Sequence, residues 1–121
     1  MQTTPEPPYG AITDPAARGR FLDEVRRHHG VPRDERDPTT VVWRPSDRWG
    51  IRYVFESEYE VRVERLAQRG FTGALTSERV PVGYNPGTRE YESTRRDPVS
   101  NAKRPLLPVV LEVAERLIPT S

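Results

Sequence analysis

The sequence predicts a small α+β fold, in which a mostly antiparallel sheet around a hairpin at 39–56 packs against an N-terminal and a C-terminal helix. Apolar residues recur at helical spacing near both ends of the chain, and β-branched and aromatic residues alternate with polar ones in the hairpin segment. The 121 residues are enough for one domain and too few for two ordinary ones. We therefore expect a single domain over 13–119, preceded by a flexible proline-rich arm at 1–12.

The first helix is predicted to begin at Asp14 and to end before Gly30. Asp14 suits the N-cap, Pro15 is tolerated in the first helical turn, and glycine commonly follows the last turn. One face of this helix is apolar and carries Ala17, Phe21, Leu22 and Val25. We expect that face to pack on the sheet.

Residues 39–56 alternate in polarity on either side of a proline-containing turn, which predicts a hairpin. If Arg44 lies opposite Arg48, then Trp43 lies opposite Trp49. The inner face then collects Val41, Trp43, Trp49, Ile51, Tyr53 and Phe55. The outer face carries Val42, Arg44, Arg48, Gly50, Arg52 and Val54.

Residues 57–70 fit two structures. A capping-box spacing at the start and Gly70 at the end favour a helix. Alternation of Tyr59, Val61 and Val63 with charged residues favours a strand. We predict the helix, because a continuous strand running on from the hairpin would be unusually long, although a helix leaves Val61 unexplained.

The rest of the chain predicts two short edge strands and a last helix. Glycines and prolines between 71 and 91 permit strands only near 74–82 and 88–93, around a turn next to Tyr84. The last helix has proline in its first turn and Pro119 beyond its end. Its apolar face is formed by Leu106, Val109, Val110, Val113, Ala114 and Leu117.

The composition excludes several classes of function. The chain has no cysteine, so it forms no disulfide and offers no thiolate for catalysis or zinc binding. It has no glycine-rich phosphate-binding motif and no apolar run of membrane-helix length. The net charge is +1, which gives no general attraction to nucleic acid or membrane. We expect a cytoplasmic protein without membrane contact, cofactor or metal.

Two clusters could support acid–base chemistry. His28 and His29 are adjacent on the first helix and point about 100° apart, so they cannot both ligate one metal and are expected to face solvent. Glu56, Glu58 and Glu60 would share one side of a strand and could shift one another's pKa. Ion pairing with neighbouring arginines is the commoner outcome for such a run. The sequence therefore favours a non-catalytic protein.

The hairpin contains the strongest candidate binding residues. Two guanidiniums on opposite strands repel each other unless an anion or a carboxylate lies between them. Tryptophan, tyrosine and arginine are also enriched at interface hot spots. The predicted binding residues are Trp43, Arg44, Arg48, Trp49, Arg52 and Tyr84. In a purely structural alternative, both tryptophans fill the core and the arginines pair with Asp47 and Glu56.

These residues predict a binding or assembly subunit that contacts another macromolecule, foremost a protein, through the hairpin and neighbouring loops. A nucleic-acid-binding module that uses the row Arg44, Arg48 and Arg52 is the first alternative. A small cofactor-free enzyme with a glutamate or histidine acid/base is the second. The sequence leaves the oligomeric state open.

Overall fold

The computed structural model describes residues 15–33, 39–57, 60–71, 73–85, 87–96, 99 and 103–119. The elements are α1 (Pro15–His29), β1 (Thr40–Trp43), β2 (Gly50–Ser57), β3 (Glu60–Leu66), β4 (Ala74–Asn85), β5 (Glu90–Arg96), β6 (Lys103–Pro105) and α2 (Leu106–Leu117). Within this part of the chain, six antiparallel strands form one sheet, each beside its neighbours in sequence. The predicted α+β class is confirmed. The predicted arm and the Asp14 cap lie outside the described residues.

Both helices pack on one face of the sheet, which we call the inner face. α1 buries the four apolar residues that its spacing predicts, and α2 buries Leu106, Val109, Val110, Val113 and Ala114. The strands meet them with Val41, Ile51, Tyr53, Phe55, Val61, Val63, Val80, Val82 and Tyr91. Removal of this apolar surface from water is the main favourable term in folding.

The ends of both helices agree with the sequence. α1 ends at His29, and Gly30 follows with a φ of +68°, a left-handed conformation that glycine adopts without strain. The N–H of Val31 donates to the carbonyl of Arg26 at 2.9 Å and closes this end. α2 begins directly after Pro105 and ends before Pro119.

The hairpin forms, but its register differs from the prediction. Trp43 lies opposite Ile51, so the predicted pairings of Trp43 with Trp49 and of Arg44 with Arg48 are wrong by two residues. The reversal is a loop over 44–49 rather than a tight turn, and this loop removes Trp49 from the strand. Because side chains alternate with a period of two, a two-residue shift leaves the face of each strand residue unchanged.

The predicted helix at 57–70 is wrong, because Glu60–Leu66 is strand β3. Val61 and Val63 are fully buried against β2 and the helices, whereas a helix would have placed them on different faces. A strand was rejected here in the sequence analysis because it would have continued the second hairpin strand into one of unusual length. No such continuous strand forms. The chain reverses after Ser57, which pairs with Glu60, and so forms two shorter strands.

The predicted edge strands are longer than expected and lie inside the sheet. β4 pairs with β3 over residues 74–81 and with β5 over residues 82–85, so the edge assignment is wrong. β5 in turn pairs with β6. Pro81 has no N–H to donate, and it lies where the partner of β4 changes from β3 to β5.

Replacement of Val61 with alanine tests this corrected element. We expect the free energy of unfolding to fall by about 1–3 kcal/mol, because buried methyl groups are lost and a cavity remains. Glu60→Ala, at the neighbouring half-buried position, should change it by less than about 0.5 kcal/mol. Urea denaturation measures both values. Equal effects of the two substitutions would contradict the buried position of Val61.

Candidate functional site

Exposed apolar side chains mark one end of the sheet. Because the strands are antiparallel, the chain reverses at this same end after β1, β3 and β5. We call the first two of these reversals, residues 44–49 and 67–71, the hairpin end. Two of the four large apolar side chains that are exposed in the described residues lie at or beside these two reversals: Phe71 (63% exposed) and Leu75 (61%). The other two are Val99 (95%), which follows β5, and Val42 on the outer face of β1 (40%).

Three hydrogen bonds join the two loops of the hairpin end. The Arg44 guanidinium donates to the carbonyl of Ala67 at 3.1 Å. The backbone N–H of Arg69 donates to the carbonyl of Asp47 at 2.8 Å. The Nε of Arg69 donates to the side-chain carboxylate of Asp47 at 2.7 Å. Each loop therefore restrains the other, so that Phe71 is carried by a braced segment.

Both predicted tryptophans are half-buried, Trp43 at the end of β1 and Trp49 at the end of the following loop. Their rings meet edge to face with centroids 5.7 Å apart, and both pack against the core. Trp43 also stacks on His29 with centroids 4.2 Å apart. Trp43 and Trp49 thus take the packing role of the structural alternative.

The expectation that His29 faces solvent is wrong, because its ring is half-buried against Trp43 and Tyr53. Its Nε2 lies 2.6 Å from the hydroxyl of Tyr53, which is fully buried and needs a polar partner. Burial lowers the pKa of His29 to about 4, with a further contribution from the positive charge of His28, and burial raises the pKa of Tyr53. His29 is therefore neutral near pH 7. His28 is exposed, as expected.

A cleft of about 600 Å³ lies between α1 and α2 and contains His29 and Trp43. This is the concave, histidine-containing site that the enzyme alternative requires. However, Nε2 of His29 is engaged by a buried hydroxyl, and its pKa is far below the range of an effective general base at neutral pH. Among the described residues, no three side chains of metal-ligating type come together.

The predicted arginine row divides between two places. Arg52 lies on the outer face of the sheet and donates through Nε to Glu64 at 2.6 Å. Arg44 lies across from Gly50 on the same face. Arg48 is exposed in the loop, where its backbone N–H donates to Ser46 at 3.0 Å.

The carboxylates that neutralise these arginines differ from the predicted ones. Asp47 pairs with Arg69, and the side chain of Glu56 lies outside the described residues. The partner of Arg52 is Glu64, which the sequence analysis missed because it assigned that segment to a helix. The charge alternation within 60–66 was the signal that could have found it.

Tyr84 is not brought together with the hairpin. It lies near the end of β4, next to the turn that leads into β5 at the opposite end of the sheet. Its half-buried ring packs on Tyr91 with centroids 5.3 Å apart. A surface formed by the hairpin end therefore does not include Tyr84.

Comparisons with known proteins leave the function to be argued from this geometry. No protein-family model matches the chain, and no curated protein or solved structure shows significant similarity to it. Neither described helix is long and apolar enough to cross a membrane.

Acid should destabilise the fold through His29. The pKa of about 6.5 in the unfolded chain exceeds the value of about 4 in the folded chain. Between these two pH values the unfolded chain binds more protons at His29 than the folded chain does. The contribution of His29 to the free energy of unfolding is therefore fully present above pH 6.5, and it is lost as the pH drops towards 4. Urea denaturation at a series of pH values measures this decline. His29→Gln should flatten it between pH 6.5 and 5, whereas His28→Gln should retain it; an unchanged slope in His29→Gln would refute the assignment.

Substitution of Gly50 with alanine should loosen the hairpin end. The added Cβ would lie 2.8 Å from Cγ of Arg44 and 3.1 Å from the Trp43 carbonyl oxygen, so the Arg44 side chain must move away from Ala67. We expect a loss of about 1–3 kcal/mol in stability and faster amide hydrogen exchange at 67–71. Gly19→Ala, whose Cβ meets nothing within 4 Å, should instead stabilise α1. Unchanged exchange in Gly50→Ala would show that the Arg44 bond to Ala67 does not restrain the loop at 67–71.

Proposed function

We propose that the protein is a non-catalytic binding subunit whose hairpin end contacts another protein. The observation that supports this most directly is the exposure of Phe71 and Leu75 beside the braced loops. Large apolar side chains grouped on one part of a surface are typical of a protein contact. The helical side of the molecule shows no comparable exposure among the described residues.

The brace between the loops strengthens the proposal. Ordering a mobile loop on binding costs free energy, and a loop already held in shape avoids much of that cost. The bonds from Arg44 and Arg69 hold the two loops together, and Trp49, the last residue of the first loop, packs against the core. Phe71 is therefore presented as a ready contact residue, of the aromatic type that is frequent in interfaces.

A protein partner fits the charge of this end better than nucleic acid does. Asp47 and Glu64 neutralise nearby guanidiniums, which lowers the local positive potential. Nucleic-acid binding without base-specific contacts depends on a concentrated basic stripe. The row of Arg44, Arg48 and Arg52 is divided between the sheet and the loop, so nucleic acid remains the alternative with weaker support.

Affinity capture tests the proposal. The full chain is immobilised and exposed to native lysate, with and without nuclease treatment. Phe71→Ser and Thr88→Ala, an exposed substitution at the opposite end of the sheet, are tested in parallel. We expect a protein that wild type and Thr88→Ala retain, with capture reduced about tenfold or more by Phe71→Ser, as for a hot-spot residue. Circular dichroism verifies that each variant is folded. Equal capture by all three, or capture that nuclease abolishes, would overturn the proposal.

A further inference from the structure

Arg65 places a charged side chain on the inner face of the sheet. In the register of β3 it lies opposite Ile51 of β2 and Thr76 of β4, and Ile51 is fully buried in the core. Residues two apart in a strand share a face, so Arg65 lies on the same side as the buried Val63. A guanidinium in this position needs a polar partner, because removing a charged group from water costs free energy unless the group is paired.

The Arg65 guanidinium has a buried donor without an acceptor. Its Nε is sealed from solvent, and no described residue accepts a hydrogen bond from it. No carboxylate in the described part of the chain forms an ion pair with Arg65. Arg62 differs, because its Nε contacts the carboxylate of Glu64 on the outer face. Buried donors in folded proteins are nearly always hydrogen-bonded, and an unpaired one destabilises the fold.

One acidic residue shares this face with Arg65, but it is engaged by another arginine. Glu78 lies two residues from Thr76 on β4. Both of its carboxylate oxygens accept from Nη2 of Arg116, in the last turn of α2, at 2.9 Å. Glu78 therefore joins α2 to the sheet and does not supply the acceptor that Arg65 requires.

The helical cover of the inner face ends close to Arg65. Along β4, Val80 is fully buried, Glu78 is half-buried, and Thr76, opposite Arg65, is exposed. Exposure thus increases towards the loop at 67–71, which belongs to the hairpin end. Arg65 itself is half-buried, and Nε is its only nitrogen that is buried without a partner. Its guanidinium is therefore accessible from the side of the hairpin end.

We propose that Arg65 binds a carboxylate group of the partner protein. This rests on the proposed function and adds a specific contact to it, because Arg65 lies two residues before the second loop of the hairpin end. A carboxylate accepts from Nε and from a terminal nitrogen of one guanidinium through two parallel hydrogen bonds. Such a contact satisfies the buried donor. The half-buried side chain also loses little freedom when the carboxylate binds.

A carboxylate of a protein fits this position better than a phosphate of nucleic acid. Binding to a phosphate backbone depends on several cations that follow the strand. Arg116, the basic residue in the last turn of α2, is paired with Glu78 and does not extend a basic row from Arg65. A single guanidinium with one buried donor suits one aspartate or glutamate side chain.

A titration followed by nuclear magnetic resonance tests this proposal. The full ¹⁵N-labelled chain is titrated with sodium acetate and, separately, with sodium dimethyl phosphate, a model of the nucleic-acid backbone with the same single charge. Sodium chloride at equal ionic strength is the reference. The side-chain Nε–H signal of Arg65 reports on the site, and that of Arg33, a largely exposed arginine after α1, is the internal control.

We expect acetate to shift the Arg65 signal downfield, by at least about threefold more than the Arg33 signal, because Nε–H gains a charged acceptor. Dimethyl phosphate should produce a smaller shift at Arg65. Either a shift with acetate no larger than with chloride, or equal shifts at Arg65 and Arg33, would overturn the proposal. A larger shift with dimethyl phosphate would assign the site to nucleic acid instead.

Arg65→Met provides a second test, because it keeps the apolar stem and removes the guanidinium. The midpoint of urea denaturation should stay the same or rise, since an unpaired buried donor is removed. A clearly lower midpoint would show that Arg65 already has a structural partner, and this would contradict the proposal. Arg33→Met, the matched control, should leave both the midpoint and the capture of the partner unchanged.

Capture of the partner protein separates this proposal from the proposed function. Arg65→Met should reduce capture about tenfold or more, as expected for a buried charged contact at an interface. Capture that depends on Phe71 but survives in Arg65→Met would overturn only the role of Arg65. An acetate shift at Arg65, together with capture that Phe71→Ser leaves intact, would overturn only the contact through the hairpin end.

Discussion

The pairing of β2 with β3 determines which side chains of this protein reach the core and which reach solvent. Tyr53 lies opposite Val63 on the inner face, and Arg52 lies opposite Glu64 on the outer face. A slip of one residue would turn the charged side chains of the outer face inward. Removing those charges from water costs far more free energy than an ion pair on the surface contributes. The apolar core and the paired outer face are therefore two results of one register.

The same register positions the aromatic support of the hairpin end. It points Tyr53 into the core, where its hydroxyl meets His29 at the end of α1, and His29 stacks on Trp43. Trp43 packs against Trp49, the last residue of the first braced loop. The Tyr53 hydroxyl thus joins the end of α1 to the sheet, and this set of contacts continues through Trp43 to Trp49 in the first loop.

The sequence predicted the elements whose signals are local. Both helices and the first hairpin follow from periodicity and end residues within short segments, and the structure contains them. The strand at 60–66 depends on a pairing partner, so its local signal was ambiguous. The same error hid the role of Glu64 as the partner of Arg52. It also hid which end of the sheet Tyr84 occupies, because each additional strand reverses the direction of the chain. His29 was wrongly expected to face solvent, because its partner, Tyr53, is distant in sequence and becomes its neighbour only after folding.

Cross-strand nuclear Overhauser contacts in the full chain test the register most directly. The structure predicts contacts between the backbones of β2 and β3 in the alignment that places Tyr53 opposite Val63, together with side-chain contacts between Tyr53 and His29. Helical amide–amide contacts through 60–66, or an alignment shifted by one residue, would contradict the account. Either result would remove both the core arrangement and the arginine-bearing face derived from it.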